Sequence, residues 1–153
     1  MIITRTFDVD LIKSVVTSDT FWDSGTEDGA IKECYEPSLQ KYVWLVVEND
    51  GVLVALIPLE HIGAVTVMVH FLVLKEHRKE SRNIANCLLQ WFNKTDYQKI
   101  ITEIPEIYPH VIRFAAGAGL KQEGIRTKSH LKNGELIDMH LYGATKEEIN
   151  KGF

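Results

Sequence analysis

The stretch that most constrains this chain runs from Val69 to Phe92, where an apolar segment switches to helical periodicity across a short cationic turn. Val65 to Leu74 is dominated by valine and leucine and reads as a buried strand. Lys75-Glu76-His77-Arg78-Lys79-Glu80-Ser81-Arg82 is polar throughout. Beyond it, Ile84, Ala85, Leu88, Leu89 and Phe92 recur at three- and four-residue spacing. A strand, a basic turn and a helix N-terminus together aim unpaired backbone N–H groups and the positive end of a helix dipole at one place. Such a place suits an anion, above all a phosphate. The sequence thus predicts a phosphorylated cofactor gripped just after residue 74.

The remaining elements follow from periodicity and turn chemistry. Met1 to Phe7 reads as a short strand, with Asp8 capping a helix through about Val16. Thr17 to Ser38 carries Asp23-Ser24-Gly25 and Glu27-Asp28-Gly29, and predicts one or two short helices among loops. Tyr42 to Glu48 is β-branched and aromatic, Asn49-Asp50-Gly51 supplies a positive-φ turn, and Val52 to Leu59 returns as its hairpin partner. Ala64 to Leu74 predicts a third long strand, and Ser81 to Asn93 a helix. Gln98 to Ile104 is another strand, ended by Pro105. Tyr108 to Ala118 is a helix with Pro109 in its first turn and Gly119 as its stop. Leu120 to Leu131 and Glu135 to Tyr142 form a closing hairpin around Asn133-Gly134. Strands interspersed with helices predict an α/β fold of the mixed α+β kind. The sheet is central, twisted and mostly antiparallel, with one parallel strand–helix–strand crossover and flanking helices.

At 153 residues the chain predicts one domain, 1–153, large enough to bury its own core. A net charge of −4 argues against a protein whose main partner is a nucleic acid, because phosphate affinity on that scale needs a basic surface. Cys34 and Cys87 have neither CxxC nor Cys/His spacing and read as buried thiols of a reducing compartment, not as zinc ligands or a disulfide. No apolar run reaches the ~20 residues of a membrane span, and Met1-Ile2-Ile3-Thr4-Arg5 does not read as a secretory signal. The expected location is the cytoplasm.

Three stretches together resemble the GCN5-related N-acetyltransferase superfamily, and more narrowly its short members carried by bacteriophages. Val73-Leu74-Lys75-Glu76-His77-Arg78 is similar to the family's strand end V-x-P-x-x-R, with Lys75 in place of proline. Ile100 to Leu120 resembles the strand, "IP" and helix that run into the family's "GF", here Gly119-Leu120. Gly124-Ile125-Arg126 and Lys132-Asn133-Gly134-Glu135 through Asp138-Met139 are similar to its closing hairpin. The resemblance implies that acetyl-CoA is the cofactor and that its pantetheine lies between splayed fourth and fifth strands. The acetyl group would pass directly to an amine on a small molecule or a host protein, in the host cytoplasm. Nucleic acid and membrane are not expected partners, and the sequence leaves a homodimer open. The resemblance assigns cofactor binding to Phe71, Leu72, Val73, Arg78, Lys79, Ser81, Arg82 and Asn83.

Two departures accompany the resemblance. The first glycine of the family's phosphate loop R/Q-x-x-G-x-G/A is Ser81 here, a residue expected to cap the following helix and donate its hydroxyl, and Glu80 adds a negative charge beside it. Ala115 occupies the position where many active members carry the tyrosine that reprotonates the departing thiolate. Amine acetylation needs a deprotonated nitrogen and a polarised thioester carbonyl. His70 is the first candidate base, since imidazole titrates in the right range; the plainer role is a strand histidine bonded to a neighbour. Glu60, with His61, sits at a strand end where a carboxylate or water relay would fit, and Glu103 on the next strand is a further carboxylate. Tyr108 is the candidate acid, or else a helix-cap aromatic of the core. The alternative to an enzyme is a catalytically silent domain of the same fold used for binding or virion assembly.

Overall fold

The computed structural model describes residues 1–152; Phe153, the last residue of the expected domain, lies outside them. Its elements are β1 (Ile2–Arg5), α1 (Val9–Val16), α2 (Asp19–Gly25), β2 (Tyr42–Asn49), β3 (Val52–His61), β4 (Thr66–Val69), β5 (Leu72–Val73), α3 (Ser81–Asn93), β6 (Lys99–Pro105), α4 (Pro109–Gly117), β7 (Lys121–Lys132), β8 (Glu135–Thr145) and α5 (Lys146–Gly152). Short 3-10 helices occupy Lys32–Cys34 and Lys75–Glu80. One sheet runs β1-β2-β3-β4-β6-β8-β7, with β5 paired to β3. Every pairing is antiparallel except β4 with β6, the two strands joined through α3.

Side-chain alternation divides the sheet into two faces. On one, Ile84, Leu88 and Phe92 of α3 and Ile149 of α5 pack on Leu45, Val47, Ala55, Ile57, Val69 and Ile100. Ala115 of α4 joins that side against Ile104 and Tyr142. On the other, Ile12 and Val15 of α1 cover Trp44, Val46 and Leu56. Both hairpin turns have two successive positive-φ residues, Asp50 (52°) with Gly51 (79°) and Asn133 (54°) with Gly134 (79°), the pairing that matches strand twist.

Four expectations are corrected. The long strand Ala64–Leu74 is two strands in one register, interrupted at His70 and Phe71. The cause lies on the neighbour: His70 N–H donates to the Pro58 carbonyl at 3.0 Å, but Pro58 has no N–H to return. Second, α5 was not foreseen, although Thr145-x-x-Glu148 is a capping box. The Thr145 N–H donates to Glu148 Oε1 (3.0 Å) and the Glu148 N–H to Thr145 Oγ1 (3.1 Å). Third, β8 extends to Thr145 because its last residues pair with β6. Fourth, Ser81 does not cap α3. The helical path already begins at Lys75, and the Ser81 hydroxyl instead donates to the Arg78 carbonyl at 2.7 Å.

Among the described residues no helix is long and apolar enough to cross a membrane, and no cluster of His, Cys, Asp and Glu is placed to hold a metal ion.

Candidate active site

The site begins where β4 and β6 part. Their parallel pairing covers only Thr66↔Lys99, Val67↔Ile100 and Met68↔Ile101. From there β5 follows β3, while β6 follows β8 as far as Pro105↔Met139. A wedge opens between Phe71–Val73 and Thr102–Pro105. At its apex the Thr102 hydroxyl donates to the Val69 carbonyl at 2.8 Å, satisfying a backbone group that has just lost its ladder.

The wedge edge carries free donors. The N–H groups of His70 and Leu74 point to β3, onto the carbonyls of Pro58 and Val54, both at 3.0 Å. Alternation therefore turns the N–H groups of Phe71 and Val73 into the wedge. The row continues into the basic turn. His77 N–H donates to the Leu74 carbonyl and Ser81 N–H to the Arg78 carbonyl. This leaves the N–H groups of Lys75 and Glu76 with no acceptor among the described residues. Glu80 does not block them. Its carboxylate accepts from Asn49 Nδ2 (3.0 Å) and lies 3.1 Å from His77 Nδ1, away from the wedge. The Phe71 ring stacks on Phe114 of α4, with centroids 5.5 Å apart, and lids the wedge on the α3–α4 face.

The other expected residues fall in different places. Arg78, Lys79, Arg82 and Asn83 surround the end of α3, but Arg82 Nη1 donates to the Gly117 carbonyl (2.8 Å) and ties α3 to the end of α4. Leu72 points to the opposite face, among the α1-side core. His70 shares that face, edge-on to the Tyr42 ring at 6.3 Å. Burial pushes its pKa below the ordinary 6.5, and the charges of Glu103 and then Glu60 partly offset this. The structure thus brings His70, Glu60 and Glu103 into one electrostatic neighbourhood. Glu103 also accepts from Arg126 Nη1 at 3.0 Å, a partner that sequence reading missed because it lies on β7, across β8. His61 is not part of the group; its Nδ1 lies 3.2 Å from the Tyr97 hydroxyl. Tyr108 stands at the N-terminus of α4 against Ala115 and Tyr142, with its pKa raised by burial and then by the Asp23 charge. Thr102 and Phe114 also escaped the sequence reading, and no local pattern marks either.

The fold can be compared with solved structures. The spermidine N-acetyltransferase of Vibrio cholerae in complex with CoA and spermine superposes with a TM-score of 0.81 over 97% of each chain, at 15% identity. A single-residue variant of that enzyme, SpeG, gives 0.80 over 100% of both chains at 16% identity. The chain has the GCN5-related N-acetyltransferase fold. The complex of SpeG with manganese ions gives 0.77 at 16% identity, covering 99% of this chain and 96% of the other. No family model matches the sequence, and no curated protein matches it. At such low identity, what the superposition shows is the shared path of the backbone.

Proposed function

We propose that this chain is an acetyl-CoA-dependent N-acetyltransferase that passes the acetyl group directly to a cationic aliphatic amine. The observation that carries the reading is the row of unpaired donors on Phe71, Val73, Lys75 and Glu76 along one side of the wedge. Alternate amides of a strand edge fit the amide groups of pantetheine, and the two at the turn fit a diphosphate. Bound there, acetyl-CoA supplies the activated thioester. The Phe71 N–H would polarise the acyl carbonyl. Arg78 and Lys79 would neutralise phosphate charge, with the Ser81 and Asn83 side chains as polar neighbours and Arg82 acting from its seat on Gly117.

On the other face His70, held neutral by burial, would take the proton from the incoming amine, while Tyr108, at the N-terminus of α4, would return one to the departing sulfur. Glu60 and Glu103 carry their carboxylates on this face, Glu103 paired with Arg126, and an incoming ammonium would be drawn to such a field. The solved neighbour binds spermine, and a polyamine is the acceptor class this field fits best. A lysine side chain of a host protein offers the same chemistry. A second reading, a domain that binds acetyl-CoA without turnover, draws on Ala115, which is buried where many active members of the fold carry a tyrosine.

The test is a thermal shift followed by thiol release. Acetyl-CoA at about a hundred times its dissociation constant should stabilise the chain by about 2.7 kcal/mol. Thiol release should then follow addition of spermidine, spermine or a lysine peptide. No shift at millimolar acetyl-CoA refutes both readings; a shift without release on any amine leaves the second.

A further inference from the structure

A lysine of the chain itself is seated beside the candidate base. Lys41 ends the turn that leads into β2, and that turn is tied at both ends. The Lys41 N–H donates to Ser38 Oγ at 3.0 Å, and the Ser38 carbonyl accepts from Trp44 Nε1 at 3.0 Å. Trp44 is buried in the α1-side core, so the turn is fixed to the sheet. From this anchor the Lys41 ammonium lies over the Tyr42 ring, 5.2 Å from its centroid. Tyr42 pairs across the sheet with Glu60, and its ring stands edge-on to His70 at 6.3 Å. Lys41, Tyr42 and His70 thus form one row across β3, on the face where an acceptor amine would arrive.

Two features set this lysine apart. The first is freedom. Lys13, Lys32 and Lys99 are each paired with a carboxylate, whereas Lys41 is exposed and makes no ion pair among the described residues. No ion pair has to break before its ammonium swings on the four-carbon stem. The second is its place in the field. Of the charges that perturb His70, Glu103 and Glu60 are carboxylates and Lys41 is the one cation. Tyr42 first, and then Glu60, hold the pKa of Lys41 above the ordinary 10.5. So held, the amine reacts with a free thioester more slowly than an ordinary surface lysine, and fast acetylation there reports a base at work.

We infer that Lys41 is an acceptor for the chain's own acetyl transfer, a self-acetylation site set against the acceptor face of the wedge. The inference rests on the acetyl-CoA reading and adds to it an intramolecular substrate. Lys41 Nζ forms an amide bond to the acetyl carbon as the thioester C–S bond breaks. Of the two protons the ammonium loses, one passes through His70 to water, and the other replaces the one that Tyr108 gives to the departing sulfur. Acetylation removes the charge of Lys41 and leaves Glu60 and Glu103 to draw the next cationic amine.

The experiment uses the full chain with acetyl-CoA and no added amine, and follows individual lysines by peptide mass spectrometry. Lys41 should be modified about a hundredfold faster than the exposed Lys94 at the end of α3, at a rate per molecule independent of protein concentration. His70→Gln should bring Lys41 down towards the Lys94 rate. A second readout needs no acetyl-CoA. The His70 imidazole, titrated by NMR, should have a higher pKa in Lys41→Gln than in the native chain, because a neighbouring cation is gone. The self-acetylation site is overturned by any of four results: Lys41 modified no faster than Lys94, a rate that grows with protein concentration, a rate untouched by His70→Gln, or an unmoved His70 pKa. Thiol release on spermidine in the same preparation then leaves the transferase reading standing. If acetyl-CoA does not bind, both fall.

Discussion

Replacing Thr102 with valine tests whether the wedge is held open by design of the sequence or by default of pairing. The change is nearly isosteric and removes one group, the hydroxyl that donates to the Val69 carbonyl at 2.8 Å. That carbonyl sits one residue past Met68, where β4 last pairs with β6, so no ladder partner replaces the hydroxyl. The loss combines a net hydrogen bond, worth about 0.5–1.5 kcal/mol, with the cost of leaving a half-buried acceptor unpaired, for a total of about 1–2 kcal/mol. For a chain of this length that is a fall in Tm of about 3–6 °C. Thr102→Ser keeps the hydroxyl and should recover most of the loss. Melting the three proteins with and without acetyl-CoA separates stability from binding, because a wedge that changes width should also shrink the ligand-induced shift. A valine variant that melts with the native protein and binds acetyl-CoA equally would refute the argument that this bond sets the apex.

Three further outcomes are expected. His70→Gln should abolish the acidic limb of the kcat/KM profile, a limb centred below 6.5 in the native protein because burial disfavours the imidazolium; a limb unchanged in the variant assigns the base elsewhere. Lys132, only 8% exposed, donates to the Asp23 and Thr26 carbonyls at the end of α2, so Lys132→Met should cost about 1–3 kcal/mol and speed proteolysis between residues 26 and 31; unaltered cleavage would show that the latch is idle. Glu148 has its pKa lowered to about 2, first by the Thr145 N–H and then by Lys121. A depressed carboxylate stabilises the fold above its ordinary 4.5, and that stabilisation fades as pH falls towards 2. Hydrogen exchange in α5 should therefore quicken across that window in the native chain but not in Glu148→Gln, and equal pH dependence in both would exclude the capping box as its source.

Much of the fold was legible because its signals are local. The 3.6-residue recurrence from Ile84 to Phe92 needed only α3 itself, and Asp50-Gly51 and Asn133-Gly134 name their turns whatever surrounds them. The capping box Thr145-x-x-Glu148 was equally local and was passed over. Of the site residues, the strand edge Phe71–Val73 could be located by resemblance, but its readiness could not. Whether those amides are free depends on the register with β3, which turns them outward, and on the course of β6, which leaves them without a partner.

The sequence by itself determined which segments become strands, turns and helices, because periodicity and backbone preference act over a few residues. Only the tertiary structure decided where the chain opens and what closes around it. Arg82 belongs to a basic run, yet it bonds a carbonyl 35 residues away. The loop after α2 is fastened to the last hairpin by Asp28, whose carboxylate accepts from the N–H groups of Asn133 and Gly134, more than a hundred residues on. Such bonds are chosen by which groups packing leaves unpaired, and that choice is made only once the sheet has assembled.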